Sequence, residues 1–278
     1  MNLTKNGVLC GVMAVVMSAT TGTAQDTANI DSFPDIVAEV RRSVALVKVK
    51  TDIKNVFALG TAFILKYKDD KAYLASAYHT FFEPIKHEDT VVISDTSRVE
   101  IMFDSDNSFR PAHVVFTRKS KDIALVTVDI PLDSLQQLGL LALSLGKVKT
   151  IREGASVAST GYNFLQRTVD FGQWRYWPTT YKGIISSVRA ISPEGEPPFI
   201  DRFQVDLPLN QGASGSPVYL TSDKTVVGMF NKFATQESGD ATVPVGLAYC
   251  IPSWAIHNCL ADYLKELQNS DTTSTSKD

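Results

Sequence analysis

Ser214 lies in NQGASGSPVYL, residues Asn210 to Leu220, where two glycines, two serines and a proline fall within six residues before an apolar run. That composition marks a turn entering a strand. A turn of this kind is also a scaffold that could hold one hydroxyl over a substrate. A nucleophilic serine needs a base within reach, an acid that orients the base, and backbone N–H donors aimed at the developing oxyanion. The chain has four histidines, so the base can be sought by elimination. His87 sits in the charged stretch KHED and reads as solvated. His113 lies inside RPAHVVFTR, where packing on a strand face explains it. His257 falls toward the rim of a C-terminal helical segment. His79 ends the apolar run AYLASAYH and is followed by TFFEP, so it can project from a fixed backbone into a cleft.

The acid is sought the same way. Asp122, in SKDIALVTVD, directly precedes an apolar strand. Burying a carboxylate there is costly unless it is hydrogen-bonded or paired. A turn or strand-start role is its plainer alternative. Asp104 and Asp106 lie in a polar loop, and Asp129 leads into Pro131, so they are weaker rivals.

These residues need a frame. Pro34 opens a short helical stretch, DIVAEVRRS, with Ile36, Val37 and Val40 on one face. SVALVKVKT, VFALGTAFILKYK and AYLASAYH then read as strands, the last two joined by a Lys-Asp-Asp-Lys turn. TVVISD, VEIMFD, RPAHVVFTR and DIALVTVD follow at short spacing. Residues 131–150 are less regular and read as a crossing segment. A second strand series runs through ASVASTGY, TTYKGIISSVRA, RFQVDL, SPVYL, TVVGMFN and VGLAYCI. Two β-halves of short, regularly spaced strands argue a sandwich or barrel. SWAIHNCLADYLKELQ places Trp254, Leu260, Leu264 and Leu267 at helical spacing, which predicts a helix over 253–268 and a disordered polar tail over 269–278.

Taken in order, GTAFIL, YLASAYH, KDIALVTVD, YKGIISSVRA, QGASGSPVYL, VVGMFN and AYCIPS resemble the trypsin-like serine protease family, and most closely its bacterial Deg/HtrA-type branch. The resemblance covers roughly residues 40–265. Each motif alone is weak, whereas seven in order at compatible spacing are specific. The resemblance implies two six-stranded antiparallel barrels with the site between them. With the strand pattern this gives an all-β fold with a first barrel over 41–135, a crossing segment and second barrel over 136–252, and a C-terminal helix. It implies His79 as general base, Asp122 as orienting acid and Ser214 as nucleophile. It places an oxyanion hole at the N–H groups of Gly212 and Ser214.

The sequence departs from the family at Ala213, where Asn or Asp is usual, and at Ser216, where a second glycine is common. Tyr78 is bulkier than the small residue usual before the histidine. Ala213 has no polar side chain, so backbone bonds, packing or substrate must order the loop. The 278 residues leave no room for the appended peptide-binding domain of many relatives. Leu207-Pro208-Leu209, before the nucleophile, contains no acid, which argues against basic specificity. Leu209, Met229, Phe230 and Asn231 are read as the specificity pocket, predicting a cut after a small or medium apolar residue. Lys232 leaves an acidic preference open.

The expected function is therefore a serine endopeptidase acting on proteins or peptides. The alternative, motivated by Ala213, is a protease-fold binding or scaffold protein with little catalysis. No metal or cofactor is expected, since HExxH and paired Cys/His spacings are absent. A formal net charge of −3 without a strong basic cluster argues against nucleic acid. The N-terminus carries Lys5, the apolar run GVLCGVMAVVMSA and Gly-Thr-Ala at Gly22 to Ala24, which predicts a signal peptide over 1–24, cleaved near Ala24 or Gln25. Cleavage would leave a linker and short helix over 25–40, no membrane anchor, and an exported, periplasmic or secreted protein. Cys10 falls in the signal and lacks a lipoprotein context. Cys250 and Cys259 remain, and an oxidising compartment would permit a bridge. Their spacing is compatible with a disulfide or with two buried thiols, and two buried thiols are expected. Oligomeric state is not readable.

Overall fold

The computed structural model describes residues 32–274 except 88–89, 164–166, 171–172, 193–198 and 239–240. The segment read as a signal peptide, 1–24, lies outside these residues. Helix α1 (Phe33–Arg41) comes first, with Pro34 in its first turn, where a missing N–H costs nothing. Ser32 donates to the Asp35 carboxylate from both its N–H and its hydroxyl, at 3.2 and 2.5 Å. Ile36 and Val40, one turn apart, are fully buried.

The first barrel closes in the order β1 (Val44–Thr51), β2 (Phe57–Lys68), β3 (Lys71–Ala77), β8 (Ile123–Asp129), β7 (Phe109–Arg118) and β6 (Ser94–Phe103). All its pairings are antiparallel. Between β3 and β6 lie the short helix α2 (His79–Phe82) and a small pair, β4 (Ile85–His87) with β5 (Thr90–Val92). The turn from β2 to β3 holds Asp69 and Asp70 at φ 53° and 56°. Positive φ at both central residues matches the twist of a tight hairpin. Helix α3 (Leu132–Leu138) then occupies the crossing.

The second barrel closes in the order β12 (Thr179–Ile191), β13 (Phe199–Val205), β16 (Ala241–Pro252), β15 (Val226–Ser238), β14 (Pro217–Leu220) and β9 (Ser156–Gly161). It too is antiparallel throughout. A hairpin of β10 (Arg167–Asp170) and β11 (Gln173–Tyr176) stands apart from it. Of the four short strands in these two small pairs, only β5 falls in a stretch read as a strand, TVVISD; β4, β10 and β11 are too short to carry a clear apolar alternation.

Strand alternation sorts the apolar residues into three cores. In β1, Ala45, Val47 and Val49 fill the first barrel, while Val44 and Leu46 face the second. In β8, Ala124, Val126 and Val128 point in, and Ile123 and Leu125 point across. The second barrel has its own interior, including Val157, Phe203, Val218 and Phe230. Fully burying one such side chain contributes about 1.5–3 kcal/mol. The middle core welds the barrels where their strand ends meet.

Helix α4 (Ser253–Ser274) closes the fold. It runs past the expected boundary at 268, because NSDTTS contains no Gly or Pro to stop it; residues 275–278 lie outside the described set. Trp254 Nε1 donates to the Ile200 carbonyl at 2.8 Å, on the second barrel. Asp262 pairs with Arg118 at 2.6 Å, on the first. The helix thus touches both.

Candidate active site

The ladder between β3 and β8 ends at Ala77 opposite Ile123. The next residues on each side therefore emerge together at the barrel rim. Tyr78 N–H donates to the Asp122 carbonyl at 3.2 Å, and Asp122 N–H donates to Lys119 O at 3.0 Å. Asp122 has left-handed φ 59° and ψ 45°, a conformation Asp tolerates better than most residues. This turns its carboxylate back onto His79. Oδ1 accepts the His79 backbone N–H at 2.9 Å, and Oδ2 lies 2.8 Å from Nδ1. An ionised carboxylate can only accept, so Nδ1 carries the proton and Nε2 is left as the ring's acceptor.

Ser214 reaches the same rim from the second barrel. Gly212 and Gly215, on either side of it, have φ 89° and 91°. A Cβ on Gly215 would overlap the Thr61 carbonyl and lie 2.8 Å from Ser76 Oγ and 3.1 Å from Ala77 N. The loop is thus pressed against the end of β3, two residues before His79. Thr61 N–H donates to the Ser214 carbonyl at 2.8 Å. A Cβ on Gly60 would meet Thr80 at 2.7 Å and Ser214 O at 3.3 Å, so that glycine lets the residue after His79 close onto the loop. The fold brings His79, Asp122 and Ser214 to one junction. The Ser214 hydroxyl donates to the Asn231 carbonyl at 3.3 Å, and among the described residues it makes no hydrogen bond to His79. Sites without substrate often leave that bond unmade.

The loop holds its shape without a polar side chain at Ala213. Ala213 is fully buried in the second barrel. Its N–H donates to Asn210 O at 3.1 Å, and its carbonyl accepts the Ser216 N–H at 2.8 Å and the Ser216 hydroxyl at 2.5 Å. Ser216 fits because Gly161 has no side chain; a Cβ there would overlap Ser216 Oγ. Thr61 supplies the other clamp. Its hydroxyl donates to the Gly212 carbonyl at 2.8 Å and accepts the Tyr162 N–H at 3.0 Å, while its carbonyl accepts Ser76 Oγ at 2.7 Å. Gly215 N–H and Phe230 N–H complete the frame, each at 2.9 Å. Among the described residues no protein acceptor takes the N–H of Gly212 or of Ser214. Thr61, Ser76 and Gly161 escape the sequence reading, although Thr61 stands in the quoted GTAFIL. Its hydroxyl at a buried strand position was the available signal.

The residues read as a specificity pocket are not brought together as an open surface. Leu209 and Phe230 pack inside the second barrel, and Met229 packs between the barrels; none exceeds 2% exposure. For Met229 and Phe230 the reason is that residues 226–231 of β15 are covered on both faces, so neighbouring side chains enter different cores. Asn231 sits at the site through its carbonyl. The other histidines and acids fall elsewhere: His113 and His257 are exposed, and the His87 side chain lies outside the described set. Asp104 pairs with Arg41 at 2.7 Å, Asp106 with Arg110, and Asp129 with Lys71 at 3.7 Å. Cys250 and Cys259 are separate, buried thiols. Burial pushes both thiols up, that of Cys259 to about 11.

The family described as Trypsin-like peptidase domain matches residues 60–229. Over 162 residues the chain is 28% identical to a protein of Pseudomonas fluorescens strain Pf-5 described as "Probable periplasmic serine endoprotease DegP-like", covering 58% of this chain and 29% of that one. Among solved structures it resembles one of the HtrA-type protease AlgW with a tripeptide, at TM-score 0.59 and 19% identity, covering 85% of this chain and 64% of that one. At that identity the likeness is one of fold. The chain spans less than a third of the length of its DegP-like relative.

Proposed function

Because the chain belongs to the trypsin-like peptidase family, we propose that it is a Deg/HtrA-type serine endopeptidase working through Ser214, His79 and Asp122. The observation that carries this reading is the 2.8 Å bond between His79 Nδ1 and Asp122 Oδ2, which leaves Nε2 to accept a proton. Ser214 Oγ attacks the carbonyl carbon of a peptide bond while Nε2 takes its proton. The tetrahedral oxyanion is held by the N–H groups of Gly212 and Ser214. Nε2 then protonates the leaving amine, and water, deprotonated in the same way, hydrolyses the acyl-enzyme. Asp122 holds the tautomer throughout. Each oxyanion donor is worth a factor of about 100 to 1,000 in rate.

Protein or peptide substrates are supported by the tripeptide in the AlgW structure. We place a small or medium apolar residue before the cut; the absence of any acid in Leu207-Pro208-Leu209 leaves a Lys or Arg there without a partner. Export to the periplasm or beyond is supported by the N-terminal apolar run and by the description of the DegP-like relative.

A second reading is a protease-fold binding protein. It is favoured by Ala213 and by the Ser214 hydroxyl resting on the Asn231 carbonyl. A fluorophosphonate probe separates the two. Wild type should be labelled and Ser214→Ala should not. Equal labelling of both sinks the endopeptidase reading.

A further inference from the structure

The outer face of the second barrel carries a cavity of about 520 Å³, lined by residues of β12, β13, β15 and β16. Three cations line it: Arg189, Arg202 and Lys232. Arg189 and Arg202 are direct cross-strand partners. Like charges placed opposite one another on a sheet destabilise the pairing. Arg202 Nη1 is buried with no hydrogen-bond partner. A buried donor in that position calls for an acceptor. The one carboxylate lining the cavity, Asp201, is already bound to Lys121 of the first barrel at 3.2 Å. Among the described residues no carboxylate pairs with Arg189, Arg202 or Lys232. The cavity therefore holds surplus positive charge and an unused donor.

Its position gives that charge a use. Lys232 directly follows Asn231, the residue whose carbonyl holds the Ser214 hydroxyl. The register of β15 against β16 shifts between Phe230 and Lys232, which sets this part of the strand out of the regular ladder. A chain lying across Ser214 and along β15 would pass over the cavity.

We propose that the cavity is a subsite for an acidic side chain of the peptide substrate, at a position other than the residue before the cut. Arg202 and Lys232 bind its carboxylate, and Arg189 completes the field. This assignment rests on the endopeptidase reading, and a binding experiment tests it without turnover. The full chain carrying Ser214→Ala is titrated against a labelled peptide whose central apolar pair is flanked by glutamates, and against its glutamine counterpart, by fluorescence anisotropy. The glutamate peptide should bind roughly tenfold tighter at low salt, as expected for charge-assisted hydrogen bonds. Arg202→Gln should erase the difference. Lys232→Gln, at an exposed position where folding is not at stake, should reduce it. Equal binding of the two peptides, or a preference that survives both substitutions, overturns the subsite. If inorganic phosphate stabilises the protein through Arg202 while the peptides bind equally, the cavity holds a free anion and the substrate assignment fails. Fluorophosphonate labelling of the chain with Ser214 intact is read in parallel. Labelling without a glutamate preference overturns the subsite alone. A glutamate preference without labelling overturns the endopeptidase reading and leaves an acidic-peptide site.

Discussion

Thr61 Oγ1 reaches from the first barrel into the second and donates to the Gly212 carbonyl at 2.8 Å. The same oxygen accepts the Tyr162 N–H, so one hydroxyl fixes two backbone groups of the facing barrel. Removing it leaves both groups buried and unpaired, at a cost of about 1–3 kcal/mol each where no water replaces it. Thr61→Val should lower Tm and reduce kcat roughly ten- to hundredfold with KM little changed, since it displaces the loop without touching substrate. Thr61→Ser should restore kcat. Kinetics on a peptide substrate with thermal unfolding would check this, and a variant at full kcat would remove Thr61 from the positioning of the loop.

Asp122 accepts both the backbone N–H and the ring N–H of His79. Asp122→Asn keeps the shape but presents a donor where the ring needs an acceptor. Turnover should fall by roughly 10⁴ with folding intact. Circular dichroism and steady-state kinetics test the two halves of that statement, and unchanged turnover would mean that another group orients the base.

Gly161 and Ser216 are matched in size. Gly161→Ala would force Ser216 Oγ off the Ala213 carbonyl, costing about 1–3 kcal/mol by overpacking. Ser216→Gly loses one hydrogen bond, about 0.5–1.5 kcal/mol. The double variant should be more stable than the sum of the two effects predicts, by about 1 kcal/mol or more. Urea unfolding of all four proteins gives the coupling, and additive losses would refute the pairing.

Cys250 and Cys259 are fully buried, and burial holds both thiols protonated at ordinary pH. The thiolate is the reactive form. Neither thiol of native protein lacking residues 1–24 should react with Ellman's reagent at pH 8, and both should react in guanidinium. Absence of reaction after unfolding without reductant would instead reveal a bridge.

Much of this was readable in the chain. His79 and Asp122 stand where apolar alternation stops on adjacent strands, so both the pattern and the motif order mark them. Ser214 is marked by the glycines that its turn requires. Thr61 is different, because its partner lies 151 residues away and only the docking of two barrels brings them together. The placing of Met229 and Phe230 is hard to read for a related reason. A strand segment buried on both faces gives no sign of which core each side chain enters.

The first and last helices of the described residues are latched onto opposite halves. Helix α1, which precedes the first barrel, sends Glu39 to Lys224 of the second and lays the Phe33 ring against Lys182 there. Helix α4, which follows the second barrel, returns to Arg118, Tyr73 and Phe116 of the first. Loop closures of this length slow folding, because their entropy is lost before the contacts form. On the proposed roles, a nascent chain that has made only its first barrel carries His79 and Asp122 without Ser214, so the site can be assembled only after the second barrel has folded.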